Sequence, residues 1–150
     1  MRLSKASRYA LYAVVMMAAE PERRLTAARL ATELGISDNH VAKVLQQLAR
    51  ARLVSATRGS GGGYRLDRSA DELTMLEVVE AIDGAWTSPC ATCDLSRGLP
   101  GGACRQHFAT CGVHDVLAEL DRRAYFTLES ITVATLARRG ARVVRLPRVS

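Results

Sequence analysis

Between Ser4 and Ala19 the apolar residues fall at Ala6, Tyr9, Ala10, Leu11, Ala13, Val14, Met16 and Met17, the pattern of a helix with a broad buried face. Pro21 ends it, because proline has no N–H to continue the ladder. Thr26 is a good N-cap for a second helix, with Leu30, Ala31 and Leu34 turned inward and Gly35 as its stop. Ser37 then caps a third helix from Asp38 to about Ala51, whose Val41, Val44, Leu45 and Leu48 form an i, i+3, i+4, i+7 stripe. Its other face is polar: Asn39, His40, Lys43, Gln46, Gln47 and Arg50. Two short helices joined at Gly35-Ile36-Ser37 have the layout of a helix-turn-helix.

The period then changes from helical to alternating. Leu53 to Thr57 predicts a strand, Arg58-Gly59-Ser60-Gly61-Gly62-Gly63 a turn, and Tyr64-Arg65-Leu66 the returning strand. A hairpin directly after a helix-turn-helix is a wing. Its glycines permit positive φ and let backbone N–H groups approach a phosphate closely. A fourth helix is expected over Thr74 to Asp83, capped by Asp71 or Thr74 and ended by Gly84. A long helix follows from about Val113 to Arg138, with Val113, Val116, Leu117, Leu120, Ala124, Leu128, Ile131 and Thr135 at spacings of mostly 3 and 4. Nothing after it can cover that stripe, so the expected cover is the same helix of a second copy. The fold class is therefore mainly α: a winged helix-turn-helix with a small two-stranded wing and a long C-terminal dimerisation helix. The expected organisation is a DNA-binding domain over 1–84, a cysteine-rich loop over 85–111, the dimerisation helix over 112–138 and a basic tail over 139–150.

Charge placement narrows the partner. Residues 1–68 carry 12 Lys and Arg against 5 Asp and Glu; residues 69–136 carry 4 against 10; residues 137–150 carry 5 Arg and no acid. A basic N-terminal half beside an acidic middle suits a polyanion at one end of the molecule. Asn39, His40 and Lys43 stand at the exposed start of the recognition helix, where short polar residues read base edges, and Ser37 can contact phosphate. Arg58, Gly59 and Arg65 belong to the wing, which would lie along the DNA backbone or in the minor groove. The expected partner is a double-stranded DNA operator. No apolar run reaches the roughly 18 residues that span a bilayer. The charged start at Met1–Lys5 and the apolar Ala10–Ala19 are followed by Glu20-Pro21-Glu22-Arg23, where a signal peptide would have a small-residue cleavage site, so a cytoplasmic protein is expected. The glycine run precedes a strand, so it is not a nucleotide-binding loop, and no nucleophile–base pair suggests an enzyme.

All four cysteines and two of the three histidines lie between Cys90 and His114, in the spacing C-x2-C-x10-C-x6-C-x2-H given by Cys90, Cys93, Cys104, Cys111 and His114. A glycine-rich polar loop cannot easily bury four thiols, which argues for a bound group. Zinc favours two C-x2-C pairs, and only Cys90–Cys93 makes one. Uneven spacing and thiolate ligands suit an iron–sulfur cluster, with a disulfide switch as a further redox reading.

Several stretches together resemble the bacterial Rrf-two (BadM) family: Met1-Arg2-Leu3-Ser4 with Arg8-Tyr9-Ala10-Leu11, Gly35 to His40 with Lys43-Val44-Leu45 and Leu48, the wing from Arg58 to Leu66, and Leu73 to Val78 with Gly84. The resemblance covers nearly the whole chain. It implies a homodimeric winged-helix transcription factor, most simply a repressor. In the family's sensing members a [2Fe-2S] or [4Fe-4S] cluster sits on the loop before the dimerisation helix and responds to redox state, nitric oxide or iron supply. Carried over residue by residue, Cys111 matches the last cysteine ligand, Cys104 the middle one and Cys93 or Cys90 the first, while His114 matches a histidine that serves as fourth ligand. The ten residues between Cys93 and Cys104 and the fourth cysteine depart from the family pattern. Arg8 stands where the family's nitric-oxide sensor has an acidic ligand, so the resemblance leaves the fourth ligand to Cys90 or His114.

Overall fold

The computed structural model describes residues 3–86 and 112–140. The first helix, α1, spans Lys5–Ala19, with Ser4 as N-cap accepting the Ser7 N–H at 2.9 Å, and it stops at Glu20, ahead of Pro21. The second, α2, spans Ala27–Leu34. Thr26 Oγ1 accepts the Arg29 N–H at 3.2 Å, and Gly35 closes the helix at φ 64°, a left-handed conformation suited to glycine. The Arg29 guanidinium donates two hydrogen bonds to Glu20, which fasten α2 to the end of α1 and hold the Glu20 carboxyl below its usual range. Helix α3, Asp38–Arg50, buries Val41, Val44, Leu45 and Leu48, the stripe its periodicity predicts.

Helix α3 ends in an unusual way. The Leu53 N–H donates to Leu48 O and the Arg52 N–H to Ala49 O, each at 3.0 Å, the paired bonds of a Schellman closure. Glycine normally takes the left-handed position of that motif, and here Arg52 does, at φ 57°. The Cβ–carbonyl crowding of that conformation has a cost. Arg52→Gly is therefore expected to stabilise the fold by about 0.5–1 kcal/mol, net of the extra freedom glycine gives the unfolded chain. A denaturant melt with an unchanged slope and a higher midpoint checks it; a lower midpoint would show that the Arg52 side chain contributes more than its backbone costs.

The wing consists of β1, Val54–Thr57, and β2, Gly63–Leu66, antiparallel with Val54 opposite Leu66 and Thr57 opposite Gly63. Close to its turn it carries a bridge to a third segment, absent from the sequence reading. Leu25, in the α1–α2 turn, pairs with Tyr64 through two hydrogen bonds of 2.9 Å.

Helix α4, Met75–Asp83, begins in a capping box at Thr74. The Thr74 side chain accepts the Glu77 N–H, and Glu77 accepts the Thr74 N–H at 2.9 Å. Of the two expected caps the structure uses Thr74; Asp71 instead accepts from Arg138 at 3.3 Å. The far end of α4 is tied to the start of α1. The fully buried Ser7 hydroxyl donates to Asp83 Oδ2 at 2.6 Å, and the Ser4 N–H reaches the same oxygen at 3.4 Å.

The long helix expected over Val113 to Arg138 is corrected to two: α5, Gly112–Ser130, and α6, Val133–Gly140. The break has a clear cause. Ile131 O accepts the Met75 N–H at 2.9 Å, and the Val133 N–H donates to Leu73 O at 2.8 Å, so the chain leaves the helical ladder to pair with the segment before α4. Thr132 Oγ1 then accepts the Thr135 N–H at 3.2 Å and starts α6. Helix α6 packs against α1, and Leu128, Val133 and Ala134 are buried within the chain's own interior. The core lies between α1, α3, α4 and the base of the wing, around Val14, Met17, Leu25, Leu30, Leu45, Leu48, Leu73 and Val78. No helix among the described residues is long and apolar enough to cross a membrane.

Candidate nucleic-acid interface

With its apolar stripe locked into the core, α3 presents the opposite side to solvent. Asn39, His40, Lys43, Gln46 and Arg50 are all exposed. Their spacings of 3 and 4 put them on one strip. Gln47, placed by the sequence reading on this polar face, does not belong to it. It is partly buried, and its amide donates to Ile82 O of α4 at 3.5 Å. The recognition helix is thus anchored to α4 by a residue that its polarity had assigned to the outside.

Ser37 holds the N-cap position of α3 but makes no capping bond with its side chain. Its hydroxyl lies 2.8 Å from His40 Nδ1 instead. When that hydroxyl donates, His40 carries its proton on Nε2 and offers a donor outward, so the pair orients an imidazole at the start of the helix. Ser37 is thus the N-cap by position and backbone, as expected, but not through its hydroxyl. Asp38 in the first turn complements the positive end of the helix.

The wing projects beside this strip. Arg58 follows β1 at the tip, Arg65 stands opposite Ser55 on β2, and both side chains are exposed. Gly59 and Gly61 adopt φ 99° and 79°, and a Cβ added to either would meet nothing within 4 Å, so these two face open space. Gly62 and Gly63 are glycines for a different reason. A Cβ on Gly62 would strike the Thr57 carbonyl oxygen, and one on Gly63 would lie 2.8 Å from Leu25 O. The close approach there is by the protein's own backbone.

Within the described residues, the exposed cations of this surface are not neutralised by the protein's own acids. Arg29, Arg68, Arg122, Arg123 and Arg138 each meet a carboxylate. Among the described residues Lys43, Arg50, Arg58 and Arg65 meet none. Their charge, on the recognition helix and the hairpin, is therefore available to a polyanion.

The cysteine-bearing segment enters from α4 and leaves into α5. Cys90, Cys93, Cys104 and Cys111 lie outside the described residues, as does the tail beyond Gly140, while the backbone of His114 stands in the first turn of α5. The entrance is well defined. The Trp86 N–H donates to Glu80 at 2.9 Å, its indole N–H donates to Asp121 of α5 at 2.8 Å, and its ring meets Tyr125 edge-on at 6.2 Å. The sequence reading missed this contact; the signal was a lone tryptophan immediately before the cysteines. Further along α5, Val116, Leu117 and Leu120 are 61%, 46% and 59% exposed.

A helix-turn-helix with a basic exposed recognition strip and a two-stranded wing defines a DNA-binding transcription regulator, not an enzyme. Residues 3–139 match the Rrf2 family, described as an iron-dependent transcriptional regulator, and the chain belongs to that family. It is 36% identical over 136 residues to the HTH-type transcriptional regulator BadM of Rhodopseudomonas palustris, covering 91% of this chain and 81% of that protein. Among solved structures, CymR (YrzC), the global cysteine regulator of B. subtilis, superposes with a TM-score of 0.73 at 21% identity, over 93% of this chain and 98% of that one. IscR of T. potens superposes with a TM-score of 0.72 at 19% identity, over 93% and 88%. These likenesses bear out the mainly helical winged fold.

Proposed function

We propose that the chain acts as a cytoplasmic homodimeric repressor whose operator affinity is set by an iron–sulfur cluster, [2Fe-2S] or [4Fe-4S], responding to redox state, nitric oxide or iron supply. The observation that carries this reading is the donor set. Four cysteines and His114 fall within 25 residues, the cysteines between the helix that anchors α3 and the helix that carries an exposed apolar stripe, and His114 in the first turn of the latter. Thiolates of this number and spacing fit a cluster by their chemistry, and the iron-dependent description of the family supports the choice of metal. Cys104, Cys111 and one of Cys90 and Cys93 are the proposed thiolate ligands, with the remaining cysteine or His114 as the fourth. Such a group, when bound, supplies a centre that gains or loses electrons and reacts with nitric oxide.

The chain's own residues provide the connection to DNA. Trp86 holds the entrance of the segment against α5, while Gln47 holds the end of α4 against α3. A change in how the segment packs would thus bear on both the spacing of two recognition helices in a dimer and the seating of each one. Anaerobically purified protein should be brown and contain iron, and removing the iron should change affinity or site preference for the operator. A brown protein whose holo and apo forms bind identically would end the sensing role. A colourless, zinc-loaded protein would favour a structural metal, and a colourless, metal-free protein with oxidant-sensitive binding a thiol switch.

Within the reading head the roles divide. Asn39 and His40 are proposed base readers, Lys43 and Ser37 flank them, and Arg58, Gly59 and Arg65 hold the backbone. Arg58→Ala should weaken binding to all sequences alike. Asn39→Ala or His40→Ala should relax preference at one base pair by about 1–3 kcal/mol. Affinities for a panel of single-base operator variants decide between them; a His40→Ala protein with unaltered preference would remove that residue from the readers.

A further inference from the structure

Between the wing tip and the α1–α2 turn lies an open cleft of about 550 Å³, lined by Glu22, Arg23, Arg24, Thr26 and the wing glycines Gly59, Gly61 and Gly62. Arg24 is its distinctive member. The residue is partly buried, and its Nη1 is fully buried without a hydrogen-bond partner among the described residues. A buried guanidinium nitrogen that donates to nothing is costly, so the side chain gains by turning outward into the cleft it lines, where an anion can accept its hydrogen bonds. Its position is fixed relative to the wing. Arg24 immediately precedes Leu25, whose two 2.9 Å hydrogen bonds to Tyr64 bridge the α1–α2 turn to β2. The backbone of Gly63 packs so closely that an added Cβ there would lie 3.2 Å from Arg24 Cβ.

Three further features favour an anion in this cleft. Gly59 and Gly61 leave its wing side unobstructed, since side chains there would meet only open space. The N-terminus of α2 opens beside it at Thr26, with the positive end of its dipole. Arg23 adds a second, largely exposed cation, partly matched by Glu20 at 3.5 Å. Glu22 is the one opposing charge on the lining. We propose that this cleft is a phosphodiester-binding notch, in which Arg24 clamps one phosphate of the DNA strand running past the wing. The proposal rests on the DNA-binding reading and adds to it a contact outside both α3 and the wing strands. Arg24 carries no base preference of its own. It sets the depth at which the wing seats against the duplex, because it is joined to the hairpin near its turn through the Leu25–Tyr64 bridge.

The test uses the whole protein and a short duplex of arbitrary sequence, since a phosphate contact is indifferent to sequence. Binding is followed over about 50–200 mM KCl, where each phosphate neutralised contributes about 0.9 to the log–log salt slope. Arg24→Gln should lower the slope by about that amount and weaken low-salt binding about tenfold, and Arg24→Lys should restore most of the slope. Arg122→Gln, which removes a cation paired with Glu119 on α5, should leave the slope as it is. An unchanged slope for Arg24→Gln in a protein of wild-type Tm would overturn the notch. So would equal losses of Tm and affinity in the Gln and Lys variants without a change of slope, which would make Arg24 a purely structural residue. Inorganic phosphate should displace no more duplex than chloride at matched ionic strength; selective displacement would reassign the cleft to a free anion. Failure of the underlying reading would appear separately, as wild-type protein that binds no duplex, and would remove the notch with it.

Discussion

Leu120→Glu is expected to leave the chain folded, convert a dimer into a monomer and reduce operator affinity by about two to three orders of magnitude. Leu120 is 59% exposed on α5, one turn beyond Val116 and Leu117 at 61% and 46%. An exposed position tolerates charge with little effect on the monomer, within about 0.5 kcal/mol. The consequence in a dimer is much larger. Each fully covered Leu or Val contributes roughly 1.5–3 kcal/mol, and a symmetric interface counts every residue twice. A carboxylate at Leu120 loses that burial and places a charge beside its symmetry mate in a low-dielectric contact. The DNA effect follows from geometry, because two reading heads on one duplex act at high effective concentration only while they are joined. Sedimentation or light scattering with parallel operator titration provides the check. A Leu120→Glu protein that remains dimeric and binds normally would move the dimer contact off this face of α5.

The elements governed by local rules were legible in the sequence. Thr26, Gly35 and the Val41–Leu48 stripe lie where capping and period predict, because neighbouring residues alone determine them. What the sequence reading got wrong came from long-range pairing. Periodicity carried one helix through Ile131–Thr132, although three β-branched residues in succession, Ile131, Thr132 and Val133, are weak helix formers. The deciding interactions, Met75 N–H to Ile131 O and Val133 N–H to Leu73 O, join segments far apart in sequence, and no pattern along α5 announces them. As a result the apolar stripe of the expected helix is divided: Leu128 is buried in the chain's own core, and Val116, Leu117 and Leu120 are exposed, where the proposed dimer contact would lie.

The same distinction applies at the proposed interface. Lys43, Arg58 and Arg65 are exposed where charge and turn chemistry placed them. Gln47 was misjudged, and the outlet of the Ser37 hydroxyl was missed, because a polar residue at a helix surface has two outlets, solvent or a neighbouring polar group. Ser37 took the His40 ring and Gln47 the Ile82 carbonyl, choices settled by distances of 2.8 and 3.5 Å that composition does not encode. Arg24 passed unremarked because an arginine in a turn is ordinary; its burial against the wing depends on the Leu25–Tyr64 bridge, which arises only once the hairpin has folded back over the α1–α2 turn.

That bridge also makes Gly63 the glycine that couples the wing to the α1–α2 turn. Gly63→Val is expected to cost about 2–4 kcal/mol and to weaken DNA binding beyond what the loss of stability explains. Gly63 sits at φ 146°, a conformation that a β-branched residue rarely adopts. Its new Cβ would lie 2.8 Å from Leu25 O and 3.1 Å from Leu25 C, so relief requires moving backbone and not merely a flexible side chain. The shift separates the Leu25–Tyr64 pair, whose two hydrogen bonds join the wing to the α1–α2 turn. Once released, the hairpin still has its four cross-strand pairs and its packing on α1 and α3, but it loses the brace beside its turn, and Arg58 at the tip is held less firmly relative to the recognition strip. Gly61→Ala provides the contrast. Its φ of 79° is strained for alanine, yet nothing lies within 4 Å of the added carbon, so the cost should remain near 1 kcal/mol and the wing's inclination should survive. Hydrogen exchange separates the two outcomes: in Gly63→Val the Leu25 and Tyr64 amides should lose protection while those of α3 keep it. Equal protection in both variants would mean that the bridge withstands the clash and that the wing is held by its strands alone.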